Sequence, residues 1–176
     1  MSDGGGVAAN GPRPTVVVLC TGNAARSVMA GAALEDAPVR MVTAGTHVVE
    51  GQPMSRRTRA ALEAVGIRPN HHRSRQLTEE DVESADLIVA MAGEHVAYVR
   101  RIHPGAAAKT ATIKRLCRDL DPGPAPLSAR VRQLGLSQVE VEAWEDVADP
   151  AGGEDEDYVA CAKELRELCL DLGSRL

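Results

Sequence analysis

The stretch VVVLCTGNAARSVMAG, residues 16–31, decides how this sequence is interpreted. It begins with a run of apolar, mostly β-branched side chains, which is typical of a strand buried in a parallel sheet. The run ends at Cys20, and only small or polar residues separate it from Arg26, where an apolar helical pattern begins. A strand, a loop of small residues and a helix in this order turn backbone N–H groups inward. This arrangement predicts an anion-binding site.

Cys20 and Arg26 stand at the two ends of that loop. A guanidinium can bind two oxygens of a tetrahedral oxyanion at once. The same cation and the positive end of the following helix favour the thiolate of Cys20, and Ser27 can donate a hydrogen bond to the sulfur. Gly22 and Asn23 both tolerate the left-handed backbone conformation that such a loop needs. We therefore interpret Cys20 as a nucleophile directed at a phosphoryl group.

The same Cys-to-Arg spacing occurs a second time, in CLDLGSR at residues 169–175, and serves as an internal control. This copy lies in an amphipathic helical pattern and no strand precedes it. We predict that Cys169 is a core residue, as are Cys117 and Cys161, which also fall on apolar helical patterns. The strand before Cys20 and the helix after its loop, and not the Cys-to-Arg spacing alone, indicate a catalytic role for Cys20.

The remaining sequence alternates between strand and helix patterns. Strands are predicted at residues 15–19, 39–44, 86–91 and 109–113. Helices are predicted at residues 27–36, 55–65, 93–102 and 154–172, with a further helix starting at Thr78. The Pro-rich segment 118–142 is interpreted as a long excursion. The alternation predicts an α/β fold with a doubly wound, four-stranded parallel sheet and helices on both faces, whose ligands bind at the carboxyl ends of the strands.

Composition sets the limits of function. The 176 residues fit one domain at 15–176 after a leader, residues 1–14, whose Gly, Pro and Asn content predicts disorder. A net charge of −5 without a basic stripe argues against nucleic acid, and no apolar run is long enough to span a membrane. The leader lacks the features of a signal peptide, so we expect four reduced cysteines and a cytoplasmic location.

The segment CTGNAARS, residues 20–27, resembles the phosphate-binding loop of the low-molecular-weight protein tyrosine phosphatase family. Further motifs resemble the family in the same order: TAGT at 43–46, HRSRQL at 72–77, SADLIV at 84–89, and Asp149-Pro150 before the last helix. The resemblance extends from about residue 15 through most of the chain. It implies a flavodoxin-like phosphatase fold and a hydrolase that needs neither metal nor cofactor.

The resemblance also implies a role for each site residue. Cys20 would be the nucleophile, Asp149 the general acid and then the base, and His72 a support for Asn23. The phosphoryl oxygens would be bound by Thr21, Gly22, Asn23, Ala24, Ala25, Arg26 and Ser27. Without the resemblance, the acid could equally be one of the neighbouring residues Asp146, Asp155 and Asp157. The histidines predicted to lie on the surface are His47, His71, His95 and His103. The basic cluster of Arg56, Arg57 and Arg59 could flank the pocket, but a solvated helix face is the favoured interpretation.

The substrate is less sharply indicated. Phosphotyrosine enzymes of the family carry aromatic residues after Asp-Pro, whereas this chain has Ala151 and Gly152. The run DPAGG is similar to the DPFGG of bacterial protein-arginine phosphatases, although Ala24 stands where those enzymes have threonine. We expect a phosphorylated protein, with phosphotyrosine before phosphoarginine, or a small phosphomonoester, and a phosphate or sulfate ion in the loop.

Two other functions remain open from the sequence. An arsenate reductase that uses a low-molecular-weight thiol would need only Cys20, because arsenate has the shape of phosphate. A non-catalytic phosphate-binding module would need neither a nucleophile nor an acid, so the presence of Cys20 and Asp149 argues against it.

Overall fold

The computed structural model describes residues 11–176, in which four parallel strands form one sheet in the order β2-β1-β3-β4. The strands are β1 (Thr15–Cys20), β2 (Arg40–Gly45), β3 (Leu87–Ala90) and β4 (Thr110–Thr112). In β1 all six residues are buried, as its continuous apolar run predicts. Because β1 lies between β2 and β3, the loop that follows Cys20 opens at the centre of the carboxyl edge of the sheet.

Seven α-helices of the described chain surround this sheet. They are α1 (Arg26–Ala33), α2 (Arg56–Ala64), α3 (Glu79–Ser84), α4 (Gly93–Ile102), α5 (Ile113–Asp119), α6 (Leu127–Arg132) and α7 (Asp155–Gly173). Short 3-10 helices occupy Pro104–Lys109, Leu136–Gln138 and Ala143–Glu145. None of the helices in the described part of the chain is both long and apolar enough to cross a membrane.

Side chains of β1 point alternately into two cores. Val16 and Val18 pack in a core formed with α1, α2, α5, α6 and α7, whereas Val17 and Leu19 pack in a core with α3 and α4. The sheet is therefore buried on both faces. The predicted α/β class, with a doubly wound four-stranded parallel sheet, is confirmed.

Two element predictions are wrong, and the leader is only partly described. Residue Ile113, predicted to end a strand, begins α5, because the Thr112 side chain accepts a hydrogen bond from Arg115 N and caps a helix there. The excursion 118–142 contains α6, which sequence periodicity did not reveal. Residues 1–10 of the predicted leader lie outside the described residues, and residues 11–14 form no regular structure.

A buried ion pair joins the end of the excursion to α5. Glu145 is fully buried and accepts hydrogen bonds from Thr112 Oγ1 at 2.6 Å and from Arg115 Nε at 3.0 Å. Burial alone would raise the pKa of Glu145, but the bonds from Arg115 and Thr112 outweigh it and hold the pKa below its ordinary value. The segment that leads to Asp149 is thus anchored beside β4.

We expect Glu145→Gln to lower the free energy of unfolding by about 1–3 kcal/mol, because it removes the fully buried carboxylate that pairs with Arg115 and leaves the guanidinium only the more exposed Asp119 and Glu142, at 3.3 Å and 3.6 Å. Glu140→Gln, at an exposed carboxylate of the same segment, is the matched control and should cost no more than about 0.5 kcal/mol. Urea denaturation measures both.

Because the pKa of Glu145 is lowered on folding, its contribution to the free energy of unfolding exists above the ordinary carboxyl pKa and is lost as the pH falls through the pKa of the folded state. A gap between wild type and Glu145→Gln that persisted in acid would contradict this account.

Candidate active site

The loop between β1 and α1 is fastened to its neighbours through the backbone. The carbonyls of Cys20 and Thr21 accept hydrogen bonds from Thr46 N at 3.0 Å and His47 N at 2.9 Å. A Cβ atom on Gly45, at the end of β2, would stand 2.5 Å from Thr21 O and 2.9 Å from Asn23 N. The close approach of β2 to the loop therefore requires glycine at position 45.

Asn23 gives the loop its shape. Its φ of 50° makes it the only non-glycine residue with positive φ among residues 11–176. Its side chain donates to Ser27 Oγ at 2.9 Å and accepts from Arg75 N at 2.9 Å. Its carbonyl accepts from His72 Nε2 and from Ser74 Oγ, each at 2.8 Å. These four bonds hold a backbone conformation that L-residues otherwise avoid.

Gly22 precedes Asn23 in the loop, and His72 lies beside the Asn23 carbonyl. Of the two residues that tolerate a left-handed conformation, Asn23 adopts it and Gly22 does not. Burial lowers the pKa of His72, although its bond to the Asn23 carbonyl acts in the opposite direction. The neutral ring then carries its proton on Nε2, the atom that faces this carbonyl.

The sulfur of Cys20 lies at the base of the loop. Cys20 Sγ is 2.9 Å from Ser27 Oγ. Since this hydroxyl oxygen already accepts a hydrogen bond from Asn23, its own hydrogen is free to point at a thiolate. A cavity of about 300 Å³ opens over the loop and is lined by Cys20, Thr21, Gly22, Ala24, Ala25, Arg26, Ser55, Thr58, Asp149, Ala151 and Tyr158.

Arg26 and Asp149 meet inside this cavity. The guanidinium of Arg26 is only 4% exposed and donates to Val147 O at 3.1 Å, to Thr21 Oγ1 at 3.4 Å and to Asp149 Oδ2 at 3.1 Å. Asp149 Oδ1 accepts from Ala151 N at 3.0 Å, and its side chain is 46% exposed. The structure thus brings the three predicted catalytic side chains to one place.

The alternative acids are engaged elsewhere. Asp146 accepts a hydrogen bond from Gly93 N at 2.7 Å, Asp155 pairs with Arg57 at 3.0 Å, and Asp157 caps the backbone of Glu154 at 2.8 Å. Only Asp149 of this group lines the cavity above Cys20. Within residues 11–176, no group of three or more His, Cys, Asp or Glu side chains is placed to hold a metal ion.

The cavity contains an aromatic ring that the sequence interpretation missed. Tyr158 lines the cavity from the second turn of α7. The guanidinium of Arg57 lies 5.8 Å from the centre of this ring and also donates to Gly153 O at 2.6 Å. Arg57, predicted as part of a solvated face, therefore ties α2 to the loop that carries Asp149.

Two histidines predicted to lie on the surface are buried. His103 is 9% exposed and contacts Glu79 at 3.1 Å, and His95 is 1% exposed with its Nε2 atom 2.9 Å from Thr21 Oγ1. Neither burial could be predicted from sequence, because each histidine stands alone in a mixed helical pattern. The turn from β3 into α4 brings His95 to the same edge of the sheet as the loop.

Comparisons with known proteins cover nearly all of the described chain. A family model described as low molecular weight phosphotyrosine protein phosphatase matches residues 15–176. A protein-arginine-phosphatase of Geobacillus stearothermophilus is 31% identical over 164 residues, which are 92% of this chain and 95% of that protein. A probable low molecular weight protein-tyrosine-phosphatase of Ralstonia nicotianae, EpsP, is 34% identical over 137 residues, 74% of this chain and 92% of that protein. The solved low molecular weight protein tyrosine phosphatase from T. tengcongensis has a TM-score of 0.72 and 30% identity, covering 93% of this chain and 99% of that one.

The role of Asn23 can be measured in two variants. Asn23→Ala should lower the free energy of unfolding by about 2–3 kcal/mol, from left-handed strain and lost buried hydrogen bonds. Asn23→Gly removes only the side-chain bonds and should be the more stable of the two. Both should weaken binding of inorganic phosphate in isothermal titration calorimetry. Equal stability of the two variants, or unchanged phosphate affinity, would show that Asn23 does not shape the loop.

Proposed function

Because the chain belongs to the low-molecular-weight phosphotyrosine protein phosphatase family, we propose that it hydrolyses a phosphoprotein through a thiophosphate intermediate on Cys20. The observation that carries this proposal is the meeting of Cys20, Arg26 and Asp149 in one cavity at the carboxyl edge of the sheet. We propose further that residues 15–176 are a single catalytic domain.

In the first step, the sulfur of Cys20 attacks phosphorus in line with the leaving oxygen. The S–P bond forms as the P–O bond breaks, and the leaving oxygen takes a proton from Asp149. Arg26 and the inward N–H groups of the loop bind the other three oxygens, where negative charge accumulates. The hydrogen bond from Ser27 stabilises the thiolate before the attack.

In the second step, water attacks the phosphorus of the intermediate. Asp149, now a carboxylate, takes a proton from this water, the S–P bond breaks, and the electron pair returns to Cys20 as a thiolate. Inorganic phosphate leaves, and the enzyme is restored without a metal, an oxidant or a reductant.

The cavity favours a phosphotyrosine substrate, with phosphoarginine as the second choice. The ring of Tyr158 supplies the aromatic wall that Ala151 and Gly152 do not, and an aromatic leaving group would pack against it. The relatives of this chain include both tyrosine and arginine phosphatases, which supports both classes of substrate as candidates. A small phosphomonoester, or a phosphate or sulfate ion, would occupy the same loop.

The chemistry also suggests where the protein works. All four cysteines are free thiols, and a cysteine nucleophile must stay reduced to act. These two facts support a cytoplasmic location. Neither arsenate reduction nor phosphate binding alone makes use of an acid beside the arginine, so no contact in the cavity favours those functions over hydrolysis.

Hydrolysis of p-nitrophenyl phosphate tests the proposed mechanism. Cys20→Ser should have no measurable turnover, because a serine hydroxyl is a far weaker nucleophile here than a thiolate. Asp149→Ala should lose about 10²–10⁴-fold in kcat on phosphotyrosine and much less on p-nitrophenyl phosphate, whose leaving group needs no protonation. Steady-state release of phosphate measures both.

Asp157→Ala removes an acid outside the cavity and is the control for Asp149→Ala. It should keep the wild-type ratio of kcat on phosphotyrosine to kcat on p-nitrophenyl phosphate. Circular dichroism checks that each variant is folded. Wild-type activity in Cys20→Ser, or equal losses on the two substrates in Asp149→Ala, would refute the mechanism. Arsenate turnover with a small thiol, without phosphate release from any ester, would favour the reductase instead.

Tyr158 provides a separate test of the substrate. Tyr158→Leu should lower kcat/KM for a phosphotyrosine peptide by roughly three- to tenfold, the value of one aromatic contact, and leave a phosphoarginine peptide nearly unaffected. Tyr158→Phe keeps the ring and should behave like wild type. If Leu and Phe at this position gave the same phosphotyrosine kinetics, the ring would have no part in substrate choice.

A further inference from the structure

His95 is the one buried histidine that touches the phosphate loop without belonging to any motif discussed above. It lies in the first turn of α4 and is 1% exposed. Its Nε2 atom lies 2.9 Å from Thr21 Oγ1, in the residue that follows the nucleophile. A polar ring buried against a catalytic loop calls for a physical account, because burial of a polar group is costly unless it forms hydrogen bonds.

The hydroxyl of Thr21 stands at the centre of a small network. Arg26 Nη2 lies 3.4 Å from Thr21 Oγ1, and Glu94 Oε1 lies 3.3 Å from the same oxygen and 3.9 Å from Arg26 Nη2. His95 Nε2 is the nearest of the three partners. The hydroxyl therefore connects the guanidinium that would hold phosphate to a ring on the neighbouring helix.

The chemistry of the three partners favours one direction for each bond. A guanidinium can only donate and a carboxylate oxygen can only accept, so we assign Thr21 as acceptor from Arg26 and as donor to Glu94. His95 is then assigned as donor from Nε2, and a proton on this atom also faces Glu94 Oε1, which lies 3.4 Å away. This assignment places no proton on Nδ1, which is buried and has no hydrogen-bond partner in the described chain. Burial, reinforced by the charge of Arg26, lowers the pKa of His95 to about 4, so the ring is neutral.

We propose that His95 is a positioning residue for phosphate binding: its Nε2–H fixes the Thr21 hydroxyl, and this hydroxyl orients the guanidinium of Arg26 toward the loop. The proposal rests on the proposed function of that loop. His95 acts only through Thr21 and does not touch the reacting atoms. The role differs from that of His72, which holds the loop from the opposite side through the Asn23 carbonyl.

Two substitutions separate this role from simple core packing. His95→Leu substitutes an apolar side chain of similar length and removes the hydrogen-bond donor, whereas His95→Gln places an amide N–H near the position of Nε2. We expect His95→Leu to weaken inorganic phosphate binding roughly three- to tenfold, as loss of one hydrogen bond implies, and to lower kcat/KM on p-nitrophenyl phosphate by a similar factor. His95→Gln should recover most of both losses.

A double-mutant cycle with Thr21→Val completes the test. If His95 acts through the hydroxyl, adding His95→Leu to Thr21→Val should weaken phosphate binding no further, within about twofold. Additive losses, or equal phosphate affinities in the Leu and Gln variants, would overturn the proposal. Should His95→Leu fail to fold, His95→Gln and Thr21→Val are to be compared in the same titrations, where a wild-type affinity in Thr21→Val would also overturn it.

The calorimetric measurement keeps this inference distinct from the proposed function. Phosphate binding needs no turnover, so it reports on His95 even in a chain that hydrolyses nothing. Phosphate binding without hydrolysis by the wild-type chain would refute the phosphatase while leaving the His95 comparison valid. If wild type hydrolyses the substrate and His95→Leu has the same kcat/KM and phosphate affinity, only the positioning role of His95 would be refuted.

Discussion

The left-handed turn at Asn23 is the constraint on which the other features of the site depend. It reverses the loop between Cys20 and Arg26 and places the side chain that donates to the Ser27 hydroxyl, 2.9 Å from Cys20 Sγ. Four hydrogen bonds, two of them to its carbonyl, keep this residue in a conformation that costs about 1–2 kcal/mol. The loop is held at two places. His72 and Ser74 donate hydrogen bonds to the Asn23 carbonyl, and Gly45 at the end of β2 packs closely against the loop backbone.

The charged side chains of Arg26 and Asp149 meet at the centre of the carboxyl edge of the sheet. The guanidinium of Arg26 is almost completely buried, a state that is tolerable only because carbonyl, hydroxyl and carboxylate oxygens surround it. The acidic partner comes from a distant part of the chain, whose path is fixed by the buried pair of Glu145 and Arg115. Stability and function are thus linked, because the ion pair that holds the excursion also determines where Asp149 can reach.

The sequence predicts those features that depend on local pattern. The buried strand, the loop of small residues and the helix after it are visible in residues 16–31, and all four strands follow from periodicity with shifts of one residue at their ends. Asp149 could be chosen over its neighbours only through the family resemblance. The contacts of His95, Tyr158 and Arg57 were not predicted, because they join parts of the chain that are far apart in sequence, which single-residue patterns do not encode. Helix α5 was missed where the Thr112 cap, a local signal, was read as strand.

The ion pair between Arg26 and Asp149 has a consequence for how the enzyme would prepare itself. In this state the guanidinium has an internal counter-ion, so an arriving phosphate exchanges one negative partner for another and does not have to satisfy an unpaired cation. The exchange would release the carboxylate at the mouth of the cavity, where its side chain is 46% exposed and can take a proton from solvent. In the proposed mechanism, substrate entry would thus break the ion pair first, and Asp149 would act as the acid only after that proton has been taken up.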